Sequence, residues 1–224
     1  MGPQREAHRD PIALSSLQRH SMVSEQDYKV VLQSFQSYRL RRDHADLAAE
    51  AQYRKLGEFF VEELYGPRDF SARDQQARRL NQFVYLVPGV ALGDVQKVLQ
   101  LLELSNKLDD QVANLLIEMS APIDFDEATY ERAYRLADNY DERVYQLELV
   151  RDSLYNVYRM ARRPLVGPAL KRIQGLAQTV GMADIHRFLM LGFQSIQPVR
   201  DIHRFVETVG VRERDRLDRI YDVG

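Results

Sequence analysis

Residues 140–164 read YDERVYQLELVRDSLYNVYRMARRP. Tyr140, Val144, Leu147, Leu154, Tyr158 and Ala161 fall at alternating four- and three-residue steps, interrupted by Arg151, and this spacing predicts one long amphipathic helix that ends at Pro164. A half-buried strand would alternate with period two, which this stretch does not. The same helical period extends outward on both sides. Upstream, Val95, Val98, Leu102, Val112 and Leu116 recur at helical steps with Leu101, Leu104, Leu108 and Leu115 beside them. That stripe is too wide for a two-stranded seam and predicts a helix, opened by Asp94, that is buried on several sides. Between the two, Pro122 ends the first segment and Asp124 or Asp126 caps a short helix containing Tyr130 and Tyr134.

Toward the N-terminus, Ser24 with Glu25 and Asp27 is a helix start. Val31, Phe35, Tyr38, Ala45, Ala49, Leu56 and Phe60 then predict one long helix, or two in series, reaching Tyr65. Gly66-Pro67 stops it. Ser71-Ala72-Arg73-Asp74 approximates a capping box for a helix running to roughly Val87, before Pro88-Gly89. Downstream, Gly167-Pro168 starts a helix that Gly181 caps, and two or three short helices fill Ala183 to Asp222. The nearest approach to a strand, Phe83 to Val87, also fits a helix end. The expected fold is all-α, a single-domain bundle of about seven to nine helices over residues 24–224, after a flexible N-terminal tail at residues 1–23.

Composition narrows the function classes. The 224 residues are 45% hydrophobic and 29% charged, ordinary for a folded domain, and 31 basic against 33 acidic side chains leave a net charge of −2. No global field favours nucleic acid or an anionic membrane. The run Arg39, Arg41, Arg42 lacks a surrounding recognition motif. No stretch approaches the ~18 apolar residues of a membrane span, and Met1 to Arg9 holds no apolar signal region, so a cytoplasmic protein is expected. Zero cysteines remove disulfides, thiolate metal sites and cysteine nucleophiles. The 26 arginines against 5 lysines suit planar bidentate contacts, although a GC-rich coding genome produces the same bias.

A short repeat appears near the end: Asp184-Ile185-His186-Arg187-Phe188 recurs as Asp201-Ile202-His203-Arg204-Phe205, seventeen residues later. It reads as two helix starts with Asp capping and Ile and Phe facing inward, in preference to a paired-histidine site. The stretch Phe59 to Asp74, FFVEELYGPRDFSARD, anchors a helix end with Phe59, Phe60 and Leu64, reverses the chain at Gly66-Pro67 and clips the turn with Phe70. Asp69, Arg73 and Asp74 suit a local ion pair and cap. Glu62, Glu63, Asp69 and Asp74 are read as structural, not catalytic.

This stretch resembles the signature of a family of uncharacterised bacterial all-helical proteins. The resemblance continues through Leu104 to Asp109, Tyr130 to Arg135 and Gly181 to Phe193, covering most of the chain after about Asp43. Val61 stands where a leucine is expected, and the part before Asp43 is less typical. The family implies a helical fold and no function.

Familiar chemistry is missing. None of His8, His20, His44, His186 and His203 has a Glu three residues before it, so the carboxylate di-metal pattern of helical bundles is absent. There is no Gly-x-Ser-x-Gly elbow and no phosphate-binding glycine loop. No catalytic residue, metal or cofactor is expected. The tyrosines at helical steps read as core packing.

The charge pattern is uneven. Residues 124–152 hold nine acids and four arginines, whereas residues 153–183 hold no acid and five bases: Arg159, Arg162, Arg163, Lys171 and Arg172. Opposition to the helix dipole explains part of this. Arg162 and Arg163 also precede the helix start at Gly167-Pro168, where free N–H groups attract anions. Arg159, Arg162, Arg163 and Arg172, with Tyr155 and Tyr158 as an aromatic wall, form a candidate site for a carboxylate or phosphate ligand. Two functions follow. The first is a non-enzymatic helical module for protein interaction or regulation, binding a protein partner or itself. The alternative is a helical domain that binds or senses an anionic small molecule, or an enzyme with an unfamiliar site.

Overall fold

The computed structural model describes residues 24–66, 71–80 and 92–223. Among them are α1 (Glu25–Asp43), α2 (Ala45–Ala49), α3 (Arg54–Phe59), α4 (Ser71–Ala77), α5 (Leu92–Glu118) and α6 (Glu127–Leu136). Then follow α7 (Tyr140–Ala161), α8 (Val166–Arg172), α9 (Gln174–Thr179), α10 (Ala183–Ile196) and α11 (Ile202–Tyr221). No strand occurs among the described residues. The protein is a single-domain all-helical bundle, as the periodicity predicts. Taking α2 with α3 and α8 with α9 as bent single elements gives nine among the described residues. The tail at residues 1–23, Pro67, Asp69, Phe70, the run Phe83 to Val87, Pro88-Gly89, His8 and His20 lie outside the described residues.

Local chemistry sets the boundaries. Ser24 and Asp27 close a reciprocal cap, Asp27 N–H donating to Ser24 Oγ at 3.2 Å and Ser24 N–H to Asp27 Oδ2 at 2.8 Å. Asp126, and not Asp124, caps α6 by accepting from Thr129 N–H at 2.9 Å. Gly181 takes φ +69° and ends α9, its N–H donating to Gln178 O and that of Met182 to Ala177 O. Ser120 ends α5 in the same left-handed region at φ 51°, with bonds from Ser120 N–H to Ile117 O and from Ala121 N–H to Leu116 O.

Several boundaries differ from expectation. The segment to Tyr65 is two elements in series, parted at His44, and the second bends between Glu50 and Tyr53. It then continues past Phe59 as a π-helical turn, Phe60–Leu64, closed by Tyr65 N–H to Phe60 O at 3.2 Å. Helix α5 begins two residues before Asp94. Helix α8 begins at Val166, so Pro168 is its third residue, where a missing N–H still costs no helical bond. The last two helices are long, at 14 and 20 residues. Asp201 caps α11 through Arg204 N–H at 3.0 Å, whereas Asp184 lies inside α10 and accepts from Gln76 Nε2 at 2.9 Å.

Helix α5 is the axis of the bundle and contacts α1, α4, α6 and α7. Its Leu108, Val112, Ala113 and Leu116 are fully enclosed, which is the burial on several sides that its wide stripe predicts. One core cluster joins Tyr28 and Leu32 of α1 to α5 and α6; a second joins Leu56, Leu154, Ile196 and Phe205; a third joins Val95 and Leu102 to Ile185 and Phe188. On α1, Tyr28, Leu32, Gln33, Gln36, Ser37 and Arg39 face inward and the predicted Val31 and Phe35 pack half-buried against the same core, whereas Tyr38 is exposed, as are Ala45 and Ala49 of α2.

Candidate functional site

The π-helical turn shapes an apolar pocket in the bundle. Its extra residue per turn lets Phe59 and Phe60 and then Leu64 all reach the space between α5, α7 and α10. There they border a cavity of about 170 Å³. Val98 and Leu102 come from α5, Val157 and Met160 from α7, Leu170 from α8, and Phe188 and Phe193 from α10. Two glycines set the position of its rings. A Cβ on Gly167 would stand 2.8 Å from Phe193 Cζ, and one on Gly192 would stand 3.2 Å from Phe59 Cζ. Each ring is therefore seated on a glycine, and any larger residue displaces it.

Among the described residues only two wall side chains are polar. Ser195 Oγ donates to Gly192 O at 2.8 Å. Ser153 is 6% exposed and its Oγ finds no partner among the described residues. The volume is on the scale of the roughly 150 Å³ apolar cavities that stay dry and admit benzene. Chemically, this wall can hold hydrocarbon and exclude ions.

A second pocket, of about 20 Å³, has room for a single water; Gln33, Tyr65, Arg73, Ser105, Asn106 and Asp109 border it together with apolar side chains such as Leu101 and Val150. Here the quoted signature segments meet. Arg73 Nη1 donates to Glu63 O at 2.5 Å, Arg73 pairs with Asp74 at 2.7 Å, and Asn106 Nδ2 donates to Asp74 Oδ2 at 2.5 Å. Arg187 reaches Glu63 Oε1 at 3.1 Å. Asp109 is enclosed and accepts from Gln36 Nε2 at 3.0 Å. Burial pushes its carboxyl above the usual carboxylate range, against the opposing pull of Arg143 and Gln36. The Arg73–Asp74 ion pair is the local one expected from the sequence. Its link to Asn106 was not legible, since no periodicity relates positions 32 apart.

The predicted anion-site residues are only partly brought together. Arg162 lies 4.5 Å over the Tyr158 ring, donates from Nη1 to Gln197 O at 3.0 Å and from Nη2 to Val199 O, and so latches the end of α7 onto the α10–α11 connection. Tyr158 donates to Arg200 O at 3.2 Å. Tyr155 faces elsewhere, its hydroxyl 2.8 Å from His203 Nδ1. Arg159 donates to Asn156 Oδ1. Arg163 and Arg172 are exposed, with no side-chain contact among the described residues.

The acidic stretch before them is neutralised from neighbouring helices. Glu127 and Glu131 pair with Arg216, Glu142 with Lys107, and Asp152 with Lys97. The five bases of residues 153–183 have no ion pair among the described residues. The two repeat histidines have separate partners. His186 is buried with Nε2 2.8 Å from Leu170 O, and His203 is exposed beside Tyr155. Among the described residues no group of three or more His, Asp or Glu side chains is arranged to hold a metal.

A family model described as a domain of unknown function, DUF8198, matches residues 16–223. The chain belongs to this family. The signature segments around Glu63, Arg73, Asn106 and Asp109 all fall inside the matched range. No curated protein and no solved structure matches the chain. No described helix is long and apolar enough to cross a membrane.

Proposed function

We propose that this member of the DUF8198 family is a non-enzymatic regulatory module that holds a small apolar molecule in the cavity between α3, α5, α7, α8 and α10. One observation carries the reading: a cavity of about 170 Å³ whose wall, among the described residues, is almost wholly hydrocarbon. Interiors normally close such space, because lost dispersion contacts and unfilled volume cost stability. A guest of about six to eight carbons recovers those contacts, and its presence or absence would alter how α7 and α10 pack. The bacterial resemblance supports a cytoplasmic setting for this encounter.

An anionic guest is a second reading, favoured by the unpaired bases outside the same wall. Met160, Ala161 and Leu170 border the cavity, while Arg159, Arg163 and Arg172 lie on the exposed side of the same helix ends. A short carboxylic acid would place its chain inside and its head at these arginines.

Thermal unfolding in the presence of benzene, cyclohexane and hexanoate separates the readings. A raised midpoint with the hydrocarbons supports the apolar cavity, and a larger rise with hexanoate that is lost in the Arg163→Gln, Arg172→Gln double variant supports the anionic head. No response to any of the three overturns both. Native mass spectrometry of the purified protein provides the remaining contrast. A retained small molecule supports ligand binding, whereas an empty dimer or a co-purifying protein would favour self-association or a protein partner.

A further inference from the structure

We infer that Ser153 is the specificity-determining residue of the cavity and that the natural guest is a neutral oxygen-bearing hydrocarbon, an alcohol or a carbonyl compound of about six carbons. The inference rests on the cavity reading above and adds the chemistry of the guest.

Hydroxyls inside helices usually return their hydrogen to the carbonyl one turn back. This protein does so elsewhere: Ser34 Oγ donates to Val30 O at 2.9 Å and Thr179 Oγ1 to Gly175 O at 3.0 Å. Ser195, the other serine in the cavity wall, is satisfied by Gly192 O. Ser153 alone among the wall's polar side chains has no partner among the described residues, although it sits on α7 between Val150, Leu154 and Val157, which also border the cavity. Leaving a buried hydroxyl unpaired costs more than replacing it with a methyl group would. A guest oxygen removes that cost, and a pure hydrocarbon does not.

The charge of the guest's polar group follows from the rest of the wall. Every other side chain bordering the cavity among the described residues is aliphatic, aromatic or a thioether, apart from the satisfied Ser195. A carboxylate drawn against Ser153 would be desolvated with no cation among the described wall residues, which is prohibitive, whereas a hydroxyl or carbonyl needs one hydrogen bond. A site built around one such bond discriminates strongly against an analogue that lacks it.

The test compares cyclohexane, cyclohexanol and cyclohexanone on the full chain and its Ser153→Ala variant, with affinities from methyl NMR titration. In the wild type both oxygenated probes bind more tightly than cyclohexane. In Ser153→Ala that preference falls by about fivefold to tenfold, while cyclohexane binds as well or better. Ser153→Cys, which keeps the volume but hydrogen-bonds weakly, repeats the loss and serves if the alanine variant does not fold. Cyclohexane binding with an unchanged preference for the oxygenated probes overturns the role of Ser153 and leaves the cavity reading standing. Failure of all three probes on the wild type overturns the cavity reading and this inference with it.

Discussion

Arg39 near the end of α1 and Glu213 in the middle of α11 form an ion pair at 2.8 Å, with side chains only 9% and 15% exposed. His44, at the break between α1 and α2, brings Nε2 to the same Glu213 oxygen at 2.8 Å. A carboxylate only accepts, so the imidazole donates from Nε2. This three-residue clamp fastens the last helix to the first break in the chain, and it places charge where the helical pattern alone puts apolar side chains.

Its pH dependence has a definite sign. Burial works to raise the Glu213 pKa, but the His44 and Arg39 contacts prevail and hold it at about 2. A carboxyl whose folded pKa lies below its unfolded value contributes stability that is complete above the unfolded value and is lost as pH falls toward the folded one. Urea unfolding of wild type and Glu213→Gln should differ by about 3 kcal/mol at pH 7. The gap should close progressively below about pH 4.5. A gap of constant size down to pH 2.5 would show that the charge on Glu213 is not what matters.

Two of the left-handed helix ends, Ser120 and Gly181, predict opposite responses to the same chemistry. Ser120 occupies φ 51° with a side chain, and Gly181 occupies φ 69° without one. Ser120→Gly should stabilise the protein by roughly 0.5–1 kcal/mol and Gly181→Ala should destabilise it by about 1 kcal/mol, although nothing within 4 Å obstructs the new methyl. Calorimetric midpoints moving in the same direction would contradict the assignment of strain to these two residues.

Much of the fold was legible because apolar spacing, prolines and caps agree from residue to residue. The long helices α5 and α7, the cap at Ser24 and the end at Gly181 all follow from that agreement. What the pattern hid is polar burial. On α1 and α7 the deepest positions include Gln33, Gln36, Arg39, Arg143, Gln146, Ser153 and Asn156, which a hydrophobic pattern assigns to solvent. Some are accommodated by tertiary contacts that spacing cannot express, such as Arg143 lying 4.2 Å over the Tyr134 ring and donating to Leu108 O at 3.1 Å. The candidate site was hidden for a related reason. A cavity is a mismatch among five elements, and no single helix carries its signature. Among the basic residues, sequence proximity joined Arg162 to Arg163, yet adjacent helix-end positions face different surroundings, one the α10–α11 carbonyls and the other water.

That difference is measurable. Arg162→Ala removes two carbonyl hydrogen bonds and a stacked ring contact and should cost about 1–3 kcal/mol. Arg163→Ala removes no recorded contact and should lie within about 0.5 kcal/mol of wild type. Equal losses in denaturant unfolding would mean that the latch between α7 and the α10–α11 connection is not formed as described.

Gly192 offers a way to separate cavity from stability. In the interior of α10, replacing glycine by alanine improves helix propensity by about 1 kcal/mol. The new methyl stands 3.2 Å from Phe59 Cζ, so the ring must shift by a few tenths of an ångström, at a cost that opposes the propensity gain. The two effects should leave the unfolding midpoint within about 3 °C of wild type. The displaced Phe59 ring borders the cavity, so benzene affinity should fall by about fivefold or more even though the protein is no less stable. Gly167→Ala, with its tighter 2.8 Å approach to Phe193, should weaken benzene binding further and also lower the midpoint. If both variants bind benzene as wild type does, the rings seated on these glycines do not define the space that the guest occupies.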